Sequence, residues 1–273
     1  MELWQIGILA LVGIIAGFLN VVAGGGSLLT MPIMVFMGMS GPAANGSNRV
    51  GIIFQNLAAI RGFRKQGFAD FKRSITLSLC AIPGAVAGAY MGTKLDGPWF
   101  NRVLALVMIG VMLLMAFKKK ANKGEVTETA PPGQGRVVAA HLLMVLAGVY
   151  GGFIQAGVGF ILMAILYRVM GEDLVRVNMH KVFIVGSYTI VAVGIFAWKG
   201  QVDWFVGLGL AAGNAIGGSL GSKFSVKKGE GAIKVILNIA LVALAAKLIY
   251  ESLPLADPAA ASVPANVEAA VDR

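Results

Sequence analysis

Long apolar segments, separated by short polar ones, follow one another along almost the whole chain. Charged residues are absent or nearly absent from 3–48, 74–93, 103–117, 137–167, 182–198, 204–222 and 235–250. Several of these segments match the ~20 apolar residues that a helix needs to cross the hydrocarbon core of a bilayer. The pattern predicts an all-α, polytopic membrane protein.

The apolar pattern occurs twice. An offset of 133 residues places Gly24 over Gly157, and the same offset places Gly67 over Gly200. One matched pair of glycines is weak evidence, but a constant offset across half of the chain indicates an internal repeat.

Each half holds the same predicted elements: a hairpin broken at glycines, followed by three spans. The short second legs of the hairpins hold about 13 residues, too few to cross a bilayer comfortably, and are predicted to be re-entrant. The predicted segments are 4–23, 26–39, 44–62, 72–93 and 98–117 in the first half, and 137–156, 159–171, 178–198, 203–223 and 230–252 in the second.

Two polar segments set the predicted domain boundaries. Residues 118–136 are charged and contain Pro-Pro-Gly, which is typical of a flexible linker. Residues 253–273 are rich in Ala, Pro and Val and are predicted to be a disordered tail. The chain therefore divides into a first transmembrane repeat at 1–117 and a second at 137–252.

Basic residues in short loops predict the orientation in the membrane. The 61–73 loop is strongly basic and should be cytoplasmic, whereas its repeat partner at 199–203 is balanced and should lie outside. The 94–102 loop is balanced, whereas its partner at 223–234 is basic. Equivalent loops lie on opposite sides, so the repeats have inverted topology, which is typical of secondary transporters with a site near the midplane. Both termini are predicted outside, and the 118–136 linker inside.

Composition supports a membrane protein and argues against other classes. The chain is 57% hydrophobic and 13% charged, whereas a soluble domain carries roughly 25% charged residues. The net charge of +10 resides mainly in short loops, so the predicted partner is the lipid bilayer and not nucleic acid. Enzyme motifs such as HExxH, GxSxG and a Walker loop are missing, so we predict neither an enzyme nor a bound cofactor.

The glycine break "AGGGS" at 23–27 carries the first candidate chemistry. Irregular backbone inside a bilayer is tolerated only where it is buried or lines a polar cavity. Backbone N–H groups of an opened turn, followed by a helix start, form an anion-binding nest. The alternative is that the glycines serve close helix packing. The predicted ligands in the two breaks are Gly24, Gly25, Gly26 and Ser27, with Gly157 and Gly159 in the second copy.

Polar side chains near the breaks are the second set of candidates, because polar groups inside a membrane are costly and usually face the interior. They are Asn20, Asn48, Arg49, Gln155, His180 and Lys181. Arg49 and Lys181 either hold an anion or snorkel to head groups. Gln55 and Asn56 either line the path or bond a neighbouring helix. Coupling uses His180, uses a proton carried by the substrate, or does not exist.

The segments "GFLNVVAGGGSLLTMPIMVFMG" (17–38) and "SNRVGI" (47–52), followed by a basic loop, resemble the sulfite exporter TauE/SafE family of bacterial anion permeases. The resemblance covers about 1–252. The second copy departs from the glycine pattern, because Val158 and Phe160 interrupt it. The family implies an inner-membrane permease that moves a small sulfur-containing anion, such as sulfite, thiosulfate or an organosulfonate, by alternating access.

Two alternatives stay open from the sequence. The first is a transporter of another small organic anion or of a metal species. The second is a membrane scaffold that transports nothing and uses its glycines only for packing. A homodimer is a further option for the oligomeric state.

Overall fold

The computed structural model describes residues 3–95, 99–100, 102–103, 106 and 133–252, with no strand among them. The predicted tail at 253–273 lies outside the described residues, as do the predicted linker up to residue 132 and most of the predicted span at 98–117. The last residues of that linker belong to the following helix, which begins at Gln134.

Eight helices have defined bounds, and the described residues at 99–100, 102–103 and 106 are also helical. The eight helices are α1 (Leu3–Val22), α2 (Ser27–Phe36), α3 (Gly41–Lys65), α4 (Lys72–Gly92), α5 (Gln134–Phe153), α6 (Val158–Ala164), α7 (Leu174–Trp198) and α8 (Trp204–Ser252). A π-helical turn, Ile165–Val169, extends α6. Gly229, with φ 70°, breaks α8 between the two segments that the sequence predicts as separate spans.

Four of these helices, α1, α4, α5 and α7, are long and apolar enough to cross a membrane. Large apolar side chains remain exposed on their outward faces, among them Leu11, Leu79, Leu146 and Ile190. Such faces are compatible with lipid, where a water-soluble protein would expose polar groups. The prediction of an all-α, multi-pass membrane protein is confirmed.

Left-handed glycines end several elements and follow the predicted repeat. Gly38 (φ 92°) follows α2, and Gly171 (φ 74°) follows the π-helical turn, so both return legs are shorter than predicted. A left-handed residue closes a helix end most easily when it is glycine. Three pairs of such glycines lie 133 residues apart: Gly24 and Gly157, Gly38 and Gly171, and Gly67 and Gly200.

Glycine contacts show that α1 and α8 run parallel. A Cβ added at Gly213 would lie 1.8 Å from the Ala10 carbonyl oxygen, and one added at Gly217 would lie 2.1 Å from the Ile14 carbonyl oxygen. Contact positions therefore advance together along both helices, whose backbones are too close for any side chain between them.

The same relation joins α4 and α5. A Cβ at Gly84 would lie 2.1 Å from the Val145 carbonyl oxygen, and one at Gly88 would lie 1.9 Å from the Val149 carbonyl oxygen. Each half therefore packs its first helix on a helix of the other half: α1 packs on α8, and α5 packs on α4.

The central helices α3 and α7 run antiparallel. Arg49, early in α3, stacks on Phe196, late in α7, whereas Asn56 lies beside Gly186, midway along α7.

Helix α3 is parallel to α8, because Val50 lies beside Gly207 and Gln55 beside Gly218. Helix α4 is parallel to α7, because Ser74 contacts His180 while Ala89, later in α4, packs on Phe196. Helices related by the repeat thus run in opposite directions. The inverted repeat stays a prediction, and this packing supports it.

Helix α2 returns along α1. A Cβ at Gly26 would lie 2.0 Å from the Ala16 carbonyl oxygen, and Met34, later in α2, packs in one cluster with Leu9, earlier in α1. The chain therefore enters, turns at the glycine break and comes back on the side from which it entered.

One end of the bundle is strongly basic. Gln66 donates to the Ser222 carbonyl oxygen (3.5 Å), and Arg73 forms an ion pair with Glu172, so the end of α3, the start of α4, the loop before α7 and the middle of α8 meet there. The basic side chains near this end, within the described residues, are Arg61, Arg64, Lys65, Lys72, Arg73, Arg136, Arg168, Arg176, Lys223, Lys227 and Lys228. At the opposite end the described loops carry Lys94 and Lys199.

The helix contacts give a first prediction. Gly88→Ala places a methyl group against the Val149 carbonyl and should destabilise the fold by about 1–3 kcal/mol, as overpacking does. Gly194→Ala is the matched control, because nothing lies within 4 Å of the position of its Cβ; it should be neutral or stabilising by about 0.5–1 kcal/mol. Thermal unfolding of the protein in detergent measures both, and equal midpoints would contradict the packing described.

Candidate functional site

The two glycine breaks contact each other, at Gly24 in the first and Gly159 in the second. A Cβ at Gly24 would lie 2.5 Å from the Gly159 carbonyl carbon, and one at Gly159 would lie 2.4 Å from the Gly24 Cα. Both positions therefore need glycine for close approach, and Gly24 also needs it for its φ of 92°. At this pair the packing interpretation of the glycines holds.

Some backbone N–H groups of the first break are hydrogen-bonded within the protein. Ala23 N (2.7 Å) and Gly24 N (2.9 Å) both donate to the Leu19 carbonyl oxygen, and Gly26 N donates to Asn20 Oδ1 (3.2 Å). Two of the three N–H groups of the predicted nest of Gly24, Gly25 and Gly26 are therefore already bonded within the protein, and the nest stays a prediction. Among the described residues, no partner is found for the Ser27 hydroxyl.

The second break is a strained turn. Gln155 has a φ of 63° and is the one non-glycine residue with positive φ in the described part of the chain. Ala156 N donates to the Ile154 carbonyl oxygen (2.6 Å), and Val158 N donates to that of Gln155 (3.2 Å). A left-handed non-glycine residue costs about 1–3 kcal/mol and persists where its surroundings hold it, often at a functional site.

Arg49 caps the helix that leads into the second break. Its Nη1 donates to the Gly151 carbonyl oxygen (2.9 Å) and to Gln155 Oε1 (2.8 Å), and its Nη2 donates to the Gly152 carbonyl oxygen (2.5 Å). The last carbonyls of a helix lack intrahelical partners and carry its negative dipole end. A guanidinium from the first half thus satisfies the end of α5 in the second half.

Lys181 makes the reciprocal cap. Its Nζ donates to the Val21 carbonyl oxygen (2.8 Å) and to Asn178 Oδ1 (2.7 Å), and Asn178 Nδ2 donates to the Val22 carbonyl oxygen (3.2 Å). A lysine ammonium has three donors, so one N–H of Lys181 remains. Neither Arg49 nor Lys181 snorkels to head groups, because both are buried.

No carboxylate accompanies these two basic groups. Asp and Glu are missing from the buried polar residues of the described chain, so carbonyl dipoles act as the partners of Arg49 and Lys181. Two positive groups without a counter-charge give this interior a positive potential, which attracts anions.

A small cavity lies between the two breaks. The volume open to the centre of a water-sized sphere is about 10 Å³, which is about enough for one water molecule. It is lined by Asn20, Ser27, Gln55, Asn56, Gln155, Val158, Gly159, Lys181, Val182 and Val185. A polyatomic anion needs more space, so the candidate site is too small to hold one in this conformation.

The cavity brings together five of the twelve predicted site residues. These are Asn20, Ser27, Gln155, Gly159 and Lys181. The other predicted residues do not line it: Gly24, Gly25, Gly26, Gly157, Asn48, Arg49 and His180. Gly24 and Gly26 serve backbone contacts, Gly157 forms the left-handed turn, and Gly25 faces the Phe160 ring.

His180 and Asn48 are bonded elsewhere. His180 Nδ1 lies 2.7 Å from Ser74 Oγ at the basic end of the bundle. Asn48 Oδ1 accepts from Thr30 Oγ1 (2.7 Å) and so ties α3 to α2. In this conformation neither side chain reaches the cavity, although the sequence places both beside predicted site residues.

Gln55 and Asn56 line the cavity, although they are not among the predicted site residues. The available signal is a pair of adjacent amides in the middle of a span, which the sequence leaves divided between lining the path and bonding a neighbour. In the structure both are buried and both line the cavity. Gln55 also bonds Asn20 of the neighbouring α1, whereas Asn56 bonds Gln55 of its own helix. Val182 and Val185 give no signal, because apolar residues are expected throughout such a helix.

The caps give a second prediction. Arg49→Met leaves the Gly151 and Gly152 carbonyls and Gln155 Oε1 unpaired, and it should destabilise the protein by about 3 kcal/mol or more, because each buried acceptor left without a donor costs about 1–3 kcal/mol. Arg64→Met is the control, because Arg64 is exposed. Free energies of unfolding of the two variants within about 0.5 kcal/mol of each other, the range of surface substitutions, would refute the capping role.

Comparison with known proteins agrees with a membrane transporter. A family model described as "Sulfite exporter TauE/SafE" matches residues 9–248. The chain is 30% identical over 240 residues to "Probable membrane transporter protein ORF9" of Sinorhizobium sp, which covers 87% of this chain and 89% of that protein. No solved structure matches the chain.

Two further relatives match over similar lengths. A "Probable membrane transporter protein" of Haemophilus influenzae is 25% identical over 244 residues, covering 89% of this chain and 94% of that protein. "Probable membrane transporter protein YfcA" of Escherichia coli strain K12 is 24% identical over 253 residues, covering 90% of each. The similarity thus spans both halves of the chain.

Proposed function

The chain belongs to the sulfite exporter TauE/SafE family of membrane transporters, and from this premise we propose that it is a permease for a small sulfur-containing anion. The substrate is sulfite, thiosulfate or an organosulfonate, and it crosses the inner membrane by alternating access. The observation that carries the proposal is the lining of the cavity between the breaks, where donors converge around a basic group and the described lining residues include no Asp or Glu.

Three groups at this cavity are suited to an anion. Lys181 has one N–H left beyond its cap, the Ser27 hydroxyl has no partner within the described chain, and the same holds for Asn56 Nδ2. Hydrogen bonds from such donors to an anionic oxygen are about twice as strong as bonds between neutral groups. Val182 and Val185 form an apolar wall that excludes water and strengthens these interactions.

The small size of the cavity supports alternating access. A space of about 10 Å³ cannot hold a polyatomic anion, so substrate enters when the elements around the two breaks separate. Antiparallel halves that meet at broken helices are the arrangement in which one half rocks against the other around a fixed site. Asn20, Ser27, Gln155, Gly159 and Lys181 are the proposed contacts from the predicted set.

The anion site gives a third prediction. Ser27→Ala removes a hydroxyl without leaving a protein group unpaired, so the protein should fold normally and bind sulfite or thiosulfate about tenfold or more weakly, since a hydrogen bond to a charged group contributes about 1.5–3 kcal/mol. Ser187→Ala, which removes a hydroxyl bonded to its own helix at Phe183 O, is the control. Isothermal titration of the purified protein measures both.

The same titration separates the alternatives. Binding of sulfite, thiosulfate or a sulfonate in preference to acetate and to divalent cations supports the proposal. Preference for acetate would indicate a carboxylate transporter, and preference for a divalent cation would indicate a metal transporter. If no anion or cation binds, the chain is better explained as a scaffold.

The basic end of the bundle gives a fourth prediction, on orientation. We propose that this end is cytoplasmic, because Lys and Arg accumulate in cytoplasmic loops. In a Cys80→Ser background, Lys199→Cys should react with a membrane-impermeant maleimide added to spheroplasts, whereas Arg64→Cys should react only after the cells are opened. Both side chains are exposed, so the reverse pattern would show that the orientation is inverted.

A further inference from the structure

A backbone N–H in the first break fixes the orientation of a row of side-chain amides. An amide oxygen only accepts hydrogen bonds, and an amide nitrogen only donates them. Gly26 N can only donate, so Asn20 must turn its Oδ1 toward it, at 3.2 Å. The Asn20 Nδ2 is thereby directed to its other neighbour, Gln55.

The same rule fixes the amide orientation of two more residues. Asn20 Nδ2 donates to Gln55 Oε1 (3.2 Å), so Gln55 presents its nitrogen to the next amide and donates to Asn56 Oδ1 (3.3 Å). Asn56 is left with its Nδ2, which is buried, has no partner within the described residues and belongs to a side chain that lines the cavity. A buried donor without a partner destabilises the protein, and an incoming acceptor would remove that penalty.

A second row fixes Gln155 in the same sense. Arg49 has donors only, so Gln155 turns its Oε1 to Arg49 Nη1 (2.8 Å) and donates through Nε2 to Thr189 Oγ1 (3.2 Å). One N–H of the Gln155 amide remains, and the Gln155 side chain lines the cavity. Both rows therefore present donors to the space between the breaks.

We propose that Asn56 is a specificity-determining ligand of the transported anion, held as a donor by the row Gly26–Asn20–Gln55. The inference rests on the proposed function and narrows it to anions whose oxygens only accept, such as sulfite, thiosulfate and sulfonate groups. A ligand that presents a hydroxyl or amine hydrogen to Asn56 meets a second donor, and the site rejects it because neither group finds a partner.

The direct test is Asn56→Ala in the full-length protein, with the affinity for sulfite and thiosulfate measured by titration. The expected loss is about tenfold or more, because the hydrogen bond lost is made to a charged group. Asn214→Ala is the matched control, since Asn214 is a buried amide on α8 that does not line the cavity. Equal affinity of Asn56→Ala and wild type would overturn the inference.

A double-mutant cycle tests the row itself. Gln55→Met keeps the size of the side chain but no longer orients Asn56, so it should weaken binding in the wild type and have little further effect in Asn56→Ala. If Gln55 instead contacts the anion directly, the loss is the same in both backgrounds, and the row is refuted. Should Gln55→Met fail to purify as a single species, Gln55→Leu, which also removes the donor to Asn56 Oδ1, replaces it.

The result distinguishes this inference from the proposed function. A wild-type protein that binds neither sulfite, thiosulfate nor methanesulfonate refutes both. A wild type that binds, with Ser27→Ala weakened and Asn56→Ala unchanged, keeps the anion site and refutes the role of Asn56. Loss of affinity in Asn56→Ala, with the control unaffected and the cycle non-additive, supports the role.

Discussion

A helix that ends inside a bilayer leaves its last carbonyl oxygens without partners and without water. In this fold each such end is capped by a basic side chain from the opposite half of the chain, Arg49 at the end of α5 and Lys181 at the end of α1. Because the caps are exchanged, neither break is satisfied until both halves have folded and packed. The parallel contacts of α1 with α8 and of α4 with α5 bring the caps into reach, so these glycine-lined interfaces and the two breaks form one cooperative unit.

The exchanged caps also explain why the site lies where it does. They hold the two breaks against each other at Gly24 and Gly159, and the cavity is the space left beside that contact. Lys181 serves both the cap and the cavity, and Gln155 bonds the other cap while lining the same cavity. Any movement that enlarges the cavity therefore disturbs the groups that stabilise the broken helices.

The sequence predicted features that depend on local composition: the apolar spans, the glycine breaks, the short return legs and the basic loops. It could not predict which N–H groups of the break stay free, because the acceptor of Gly26 N is a side chain six residues away, Asn20. It could not identify Arg49 as a cap, because its partners at Gly151 and Gly152 lie about a hundred residues later. The left-handed Gln155 had no signal at all, since glycine is the residue that such a position normally predicts.

The imperfection of the second glycine motif has a physical reason in this packing. Where the two copies of the motif pack face to face, a large side chain on one copy needs a small residue opposite it on the other. A Cβ at Gly25 would lie 2.6 Å from Phe160 Cζ, so the ring of the second copy fills the space that glycine leaves in the first. Two glycine-rich copies would leave that space empty, and two bulky ones would force the breaks apart. Divergence of the motifs is therefore what allows the breaks to touch, and the site that results is asymmetric. Its polarity is set by a backbone N–H on one side and by a guanidinium on the other.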